Sequence, residues 1–303
     1  MEEFLAECKL CPHECKVNRN IGIIGRCRVG KKVKINIAQL HFYEEPCISG
    51  KKGSGTIFFS GCNMSCKYCQ NYKISQLLYG KEIEIEDLAN EFLKLQEMNA
   101  NNINLVTAVM FVPQIIEAIK IARKKGFKLP IVYNSSGYER IETLKMLEGY
   151  VDVYLPDFKY YYNDLAYNLS GINNYFENVT KAIKEMYRQV GAPKFDSKGI
   201  IKKGLIIRHL ILPNHIKNSK MVLKWIEKNI NKDVFVSVMA QYFPTYKAME
   251  TEDINRKLND YEYKKIEEYL YSLNLNNGYI QDLDDCEEQY VPQFIDDELN
   301  SHT

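Results

Sequence analysis

The chain has 303 residues, 46% hydrophobic and 26% charged, with 16 Gly and 9 Pro; this excludes a disordered, collagenous or low-complexity protein and allows one large α/β core. Forty Lys and Arg face 39 Asp and Glu, a formal charge of +1, so no bulk field argues for nucleic acid or an anionic membrane as a partner. No apolar run approaches the ~20 residues of a membrane span, and the acidic start Met1-Glu-Glu lacks the basic stretch of a secretory signal, so a cytoplasmic protein is expected.

Residues 1–50 are rich in Cys and Gly with weak apolar periodicity, and read as a Cys-rich N-terminal metal-binding extension. From Gly55 onward, short β-branched or aromatic runs alternate with helical patterns, as parallel βαβ units do. Strands are predicted over Thr56–Ser60, Ile103–Ala108, Pro130–Asn134, Val151–Leu155, Leu205–Leu212 and Val234–Ala240. Between them, Ile85, Leu88, Ala89, Phe92 and Leu93 share one helical face, as do Ile115, Ile116, Ile119 and Ala122. Further helices fit Ile141–Leu147, Tyr175–Val190 and Met221–Ile230. Six strands within about 185 residues are too few for a closed eight-unit barrel, so residues 51–245 are expected to form an open or partial (β/α)6 barrel. Residues 246–303 read as a helix over 260–273 and an acidic tail. That tail carries Asp284, Asp285, Glu287, Glu288, Asp296, Asp297 and Glu298 with no Lys or Arg, and its plainest reading is a frayed, solvated terminus.

Eight of the nine cysteines lie in the first 69 residues, most at short spacings, which in a reducing compartment points to metal. The first predicted strand runs through Gly61 into Cys62-Asn-Met-Ser-Cys66-Lys-Tyr-Cys69. A structural zinc wants four closed ligands, whereas an iron-sulfur cube held by three thiolates keeps one iron open. A loop after a parallel strand also lies at the barrel's C-terminal mouth, where such folds place chemistry. The second group, Cys8-x2-Cys11-Pro-His-Glu-Cys15-x11-Cys27, supplies four thiols. Structural zinc, mononuclear iron, an auxiliary iron-sulfur cluster and no metal all stay open for it, with His13 a bystander. Cys47 and Cys286 have no partner at metal-site spacing and read as inert.

Polar residues cluster at the predicted strand ends. Asp157 and Lys159, two apart, share one strand face; Arg208 and His209 are neighbours, so only one turns inward. Arg208, with its planar fork, is expected to do so, leaving His209 as a satisfied core histidine. Thr107, Asn134, Ser136 and Gln241 end the second, third and sixth strands.

Cys-x3-Cys-x2-Cys with Tyr68 before the third Cys resembles the signature of the radical S-adenosylmethionine (SAM) enzymes. Glu44-Glu-Pro-Cys-Ile-Ser-Gly, Gly53 to Met64, Tyr133-Asn-Ser-Ser-Gly-Tyr-Glu, Asp152 to Lys159 and Arg208-His-Leu-Ile-Leu-Pro resemble a subgroup related to pyruvate formate-lyase activating enzyme. The likeness spans about residues 8 to 245. It implies a radical-SAM partial barrel in which Cys62, Cys66 and Cys69 hold a [4Fe-4S] cluster whose open iron chelates SAM. A low-potential donor such as flavodoxin or ferredoxin would supply the electron. The resulting 5'-deoxyadenosyl radical would abstract hydrogen from a protein, peptide or small molecule, including as a glycyl-radical activating enzyme. By the same resemblance Tyr68 lies near the adenine, and Asp157 and Lys159 meet the ribose or carboxylate. Asn134, Ser136, Arg208 and Gln241 would make further cofactor contacts. Thr107 stands where relatives carry a Gly-Gly-Glu segment, and Ala108-Val-Met replaces a Pro-Thr-His. Those losses motivate a rival reading, a non-catalytic iron-sulfur binding or electron-transfer protein on the same scaffold.

Overall fold

The β-branched and aromatic runs form one ten-stranded sheet in the structure, a computed structural model that describes residues 2–283 and 292–295. Cys286 and the tail acids at 284–288 and 296–298 lie outside the described residues. In chain order the strands are Val33–His41 (β1), Ser54–Phe59 (β2), Lys81–Ile83 (β3), Ile103–Val106 (β4), Ile131–Ser135 (β5), Val153–Pro156 (β6), Lys194–Phe195 (β7), Ile201–Leu210 (β8), Phe235–Met239 (β9) and Gly278–Ile280 (β10). Their order is β10-β9-β8-β6-β5-β4-β2-β1-β3, with β7 paired to β8 off this path. The six strands expected from the sequence are consecutive in this order and all parallel, β2-β4-β5-β6-β8-β9. β10 adds a seventh parallel strand beside β9. β1 runs antiparallel to β2, and β3 antiparallel to β1, so residues 33–41 join the same sheet as the barrel strands.

Long crossovers let parallel strands pair, and here they are helices. Ile85–Glu97 starts at a capping box between Glu84 and Asp87 and buries Leu88, Ala89, Phe92 and Leu95. Val112–Lys124, Ile141–Met146, Tyr175–Val190 and Ile216–Asn229 follow. The last begins five residues before the apolar pattern that predicts it, because Asn218 and Ser219 are buried for hydrogen bonding and not for apolar contact. Asn218 donates to the Lys159 carbonyl at 2.9 Å and accepts from the Tyr161 amide at 2.8 Å. A helix at Asn163–Ser170 carries only a weak apolar face and escapes the sequence pattern.

The N-terminal extension is fastened to the barrel by Arg19, whose side chain is fully buried. Its guanidinium donates to the Gly30 carbonyl at 2.6 and 3.0 Å and to the Met110 carbonyl at 2.7 Å, and lies 5.7 Å from the Phe111 ring centroid. Ala108 to Met110, apolar where the resemblance leads one to expect polar groups, are buried in the core beneath it with Phe111. Among the described residues, no helix is long and apolar enough to cross a membrane.

Candidate functional site

The C-terminal ends of the parallel strands surround one cavity of about 210 Å³. Cys62, Cys66, Cys69, Tyr68, Thr107, Asn134, Ser136, Asp157, Lys159, Arg208 and Gln241 all line it. Residues separated by up to 179 positions thus meet because every one sits at or just past a strand end.

The cysteine loop leaves β2 through Gly61, whose φ of +89° is a left-handed conformation open to glycine. A Cβ there would lie 2.5 Å from Val29 Cγ1 and 2.8 Å from the Cys27 carbonyl oxygen, so the loop is pressed against the extension. Each sulfur has a hydrogen-bond partner. The Met64 amide donates to Cys62 Sγ at 3.3 Å, Ser170 Oγ donates to Cys66 Sγ at 3.0 Å, and Ser75 Oγ lies 3.2 Å from Cys69 Sγ. The Ser170 contact ends a chain: Tyr68 Oη and Tyr160 Oη are 2.6 Å apart, and Tyr160 Oη is 2.6 Å from Ser170 Oγ. Burial raises all three thiols, Cys69 to about 11; repulsion from Cys66 adds to the rise at Cys62 and Cys69, and Asp157 adds to it at Cys66. Lys159 acts the other way on each of them. Three thiols facing one cavity, each hydrogen-bonded at sulfur and near a cation, fit the donor set of an iron-sulfur cluster with one free iron.

Opposite the thiols lies a buried charge network. Arg208 Nε donates to Asp157 Oδ1 at 2.8 Å, Nη1 to Glu44 Oε2 at 3.1 Å and Nη2 to Asn134 Oδ1 at 2.5 Å. Lys159 Nζ donates to Asp157 Oδ2 at 2.6 Å. Burial alone would push the Asp157 carboxyl up, but Arg208 and Lys159 outweigh it and hold it below its ordinary range. Burial likewise opposes the Lys159 charge, and Asp157 and Cys66 reverse that to raise its pKa. For Glu44 burial prevails over Arg208 and Asn104, and its carboxyl is raised. Asn104 Nδ2 donates to Glu44 Oε1 at 2.9 Å. Glu44 lies outside any periodic run, and its signal in the sequence is its place at the head of the Glu44-Glu-Pro-Cys-Ile-Ser-Gly stretch. Thr107 takes a left-handed φ of +59°, rare for a side-chain-bearing residue and characteristic of strained functional positions, while its amide donates to the Asn134 carbonyl at 2.9 Å.

His209 points the other way from Arg208, as strand alternation requires. Its Nδ1 is 2.7 Å from the Phe158 carbonyl and its Nε2 is 2.8 Å from Ser219 Oγ. Burial depresses its pKa to about 4 against the hydrogen bond that raises it. The unfolded imidazole, with a pKa of ~6.5, therefore binds a proton that the folded one refuses between these values. Stability falls as pH drops from about 6.5 to about 4, with a slope of up to ~1.4 kcal/mol per pH unit from this group. Denaturant midpoints across that range should show the slope in the parent and a shallower one in His209→Gln; equal slopes would contradict the assignment.

Cys8, Cys11, Cys15 and Cys27 lie together outside the cavity. Cys8 donates its amide to the Val17 carbonyl at 3.0 Å and accepts from the Lys16 amide at 2.9 Å, closing a loop with left-handed turns at Glu14 and Lys16. The amides of His13 and Val29 bond the sulfurs of Cys11 and Cys27, and the Arg26 amide lies 3.4 Å from Cys15 Sγ. Burial pushes the Cys11 thiol up to about 12, and Cys27 and Cys15 contribute to that rise. Amides aimed at sulfurs suit thiolate ligands, although among the described residues no three His, Cys, Asp or Glu are drawn into the geometry of a single metal ion. His13 bonds the Asn63 carbonyl at 2.7 Å. Cys47 is buried, and burial raises it to about 11.

Residues 56–201 match the model of the Radical SAM superfamily. The chain is 34% identical over 283 residues, 91% of its length and 77% of the relative's, to the uncharacterized protein MJ0674 of Methanocaldococcus jannaschii. It is 24% identical over 252 residues to the pyruvate formate-lyase-activating enzyme of Clostridium pasteurianum, covering 78% of this chain and 98% of that one. Among solved structures, Streptococcus suis SuiB bound to S-adenosylmethionine aligns with a TM-score of 0.51 at 12% identity, over 73% of this chain and 48% of that chain, a likeness of fold. With the partial parallel barrel and the three-thiol loop at its mouth, these findings make the chain a radical SAM superfamily enzyme related to the pyruvate formate-lyase activating enzymes.

Proposed function

We propose that this protein reductively cleaves S-adenosylmethionine and uses the resulting radical to abstract hydrogen from a protein, peptide or small molecule, in the manner of an activating enzyme. The observation that carries this reading is the single cavity shared by three sulfur donors and a buried cation-carboxylate network. Cys62, Cys66 and Cys69 would hold a [4Fe-4S] cluster. When bound and reduced, that cluster supplies the electron that splits the sulfonium into methionine and a 5'-deoxyadenosyl radical.

The chain's own residues bind, orient and shield. Arg208 offers its fork to the methionyl carboxylate, and Asp157 with Lys159 offers charge-assisted hydrogen bonds to the ribose or carboxylate. Asn134, Ser136, Thr107 and Gln241 contribute polar contacts around them, and Tyr68 lies beside the adenine. Phe58, Ile74 and Val106 provide the apolar part of the wall that keeps water from the radical. A low-potential donor such as flavodoxin or ferredoxin would deliver the electron. Anaerobic reconstitution followed by dithionite reduction with SAM tests the reading. Accumulation of 5'-deoxyadenosine above a no-enzyme control is expected, and its absence from an iron-loaded protein would support the non-catalytic alternative.

The four N-terminal thiols are proposed to hold one separate structural metal, zinc or iron, supported by the sulfur-directed amides around Cys11, Cys15 and Cys27. Cys8→Ser with Cys11→Ser should remove one metal equivalent and lower the melting temperature while the cofactor cluster's visible spectrum persists. Loss of that spectrum from a folded double variant would mean that the two groups form one centre.

A further inference from the structure

Residues 292–295, Pro-Gln-Phe-Ile, return from the far end of the chain to the rim of the cavity. Pro292 forms part of its wall and also bounds a second, outer cavity lined by Tyr72, Lys73 and Phe243. Pro292 and Gln70 are thus shared by the inner and the outer cavity. Phe294 is buried against Phe58, Ile74 and Val106, three residues of the inner wall, with its ring edge-on to Phe58 at 5.5 Å between centroids. Asn36 then grips the backbone with both ends of its amide: Nδ2 donates to the Ile295 carbonyl at 2.9 Å, and Oδ1 accepts from the Ile295 amide at 3.0 Å. Asn36 can do this because β1 is bulged there. The register against β2 slips between Ile35 and Ile37, which frees one residue from the ladder and re-aims its side chain.

A side-chain amide that satisfies both backbone groups of one residue recognises extended polypeptide without regard to sequence. An adjoining aromatic pocket adds a side-chain preference. Both devices here meet at the edge of the inner cavity, where Pro292 joins its wall. We infer that β1, β2 and β4 form a groove for an extended peptide bearing an aromatic residue, and that residues 292–295 occupy it as an intramolecular competitor of a polypeptide substrate. Displacing them opens the inner cavity toward Tyr72 and Phe243. The inference rests on the proposed radical reading only in calling that peptide a substrate; peptide recognition itself needs no cluster and no SAM.

The test uses the full chain and a fluorescent peptide copying residues 290–297, followed by anisotropy. An internal occupant lowers apparent affinity by the fraction of molecules in which the groove is open. Phe294→Ala, which empties the aromatic pocket, should bind the peptide at least tenfold more tightly than the parent. Ile295→Pro, which removes the amide held by Asn36 and spares the ring, should shift affinity in the same direction and carries the test where Phe294→Ala folds poorly. Adding Asn36→Ala to either variant should reverse the gain, and a peptide with Ala for Phe should bind none of them. Equal binding by the parent and both tail variants, no binding by any, or indifference to the peptide's Phe would overturn the inference. Peptide binding without 5'-deoxyadenosine would remove the radical reading alone, and 5'-deoxyadenosine without peptide binding would remove the groove alone.

Discussion

Cys66→Ala should reduce formation of 5'-deoxyadenosine to the level of a no-enzyme control while leaving the fold intact. Cys66 is the middle thiol of the loop, buried, and its sulfur accepts the hydrogen bond from Ser170 that ends the chain from Tyr68 through Tyr160. Removing one of the three thiols that would hold the cluster would leave one of its irons without a protein anchor. The volume lost is a single sulfur in a loop fixed elsewhere by backbone bonds, Ser65 to the Ser170 carbonyl at 3.0 Å and Lys67 to the Leu169 carbonyl at 2.8 Å. The melting temperature should therefore move by a few degrees at most. Iron content, visible absorbance and product by chromatography check the prediction, and an unchanged rate in this variant would show that the assignment of the cluster ligands is wrong.

Asp157→Asn and Lys159→Met should each weaken SAM binding by about tenfold or more, since a shielded charge-assisted hydrogen bond contributes ~1.5–3 kcal/mol and ~1.4 kcal/mol is one decade. The two are ion-paired at 2.6 Å, which a surface pair would also show. What separates this pair from a surface one is its setting: both side chains are only 15% exposed, both face the cavity, and Arg208 is bonded to the same carboxylate. Asp157→Asn leaves two cations sharing a neutral amide and should also destabilise the fold, as breaking one partner of a buried network does. Lys159→Met removes a charge and keeps the packing stem, so it isolates the contribution to binding. Equilibrium titration with SAM decides the matter. Parental affinity in both variants would mean that these side chains serve each other and not the cofactor.

Six of the seven parallel strands were legible because their cores are β-branched runs bounded by turns, and period-two alternation then assigns faces at their ends. That logic placed Asp157 and Lys159 together and turned Arg208 inward with His209 behind it. It has no purchase on Glu44, which reaches Arg208 because the β1–β2 connection folds back over the barrel floor. Nor does it find Tyr160 and Ser170, whose link to Cys66 depends on a helix the apolar pattern barely marks. β1 carries the alternation Val33-Lys-Ile35-Asn-Ile37, but it lies inside the Cys- and Gly-rich stretch that reads as a metal-binding extension. The seat of Phe294 depends on contacts with residues more than 180 positions away, beyond any local signal.

The most direct test of the central claim is electron paramagnetic resonance of the anaerobically reconstituted, dithionite-reduced protein with and without SAM. A reduced-cluster signal should change on addition of SAM, because the one iron without a cysteine ligand would take up the methionyl group, and that change should be absent in Cys66→Ala. A signal that is identical with and without saturating SAM in the parent would contradict the claim.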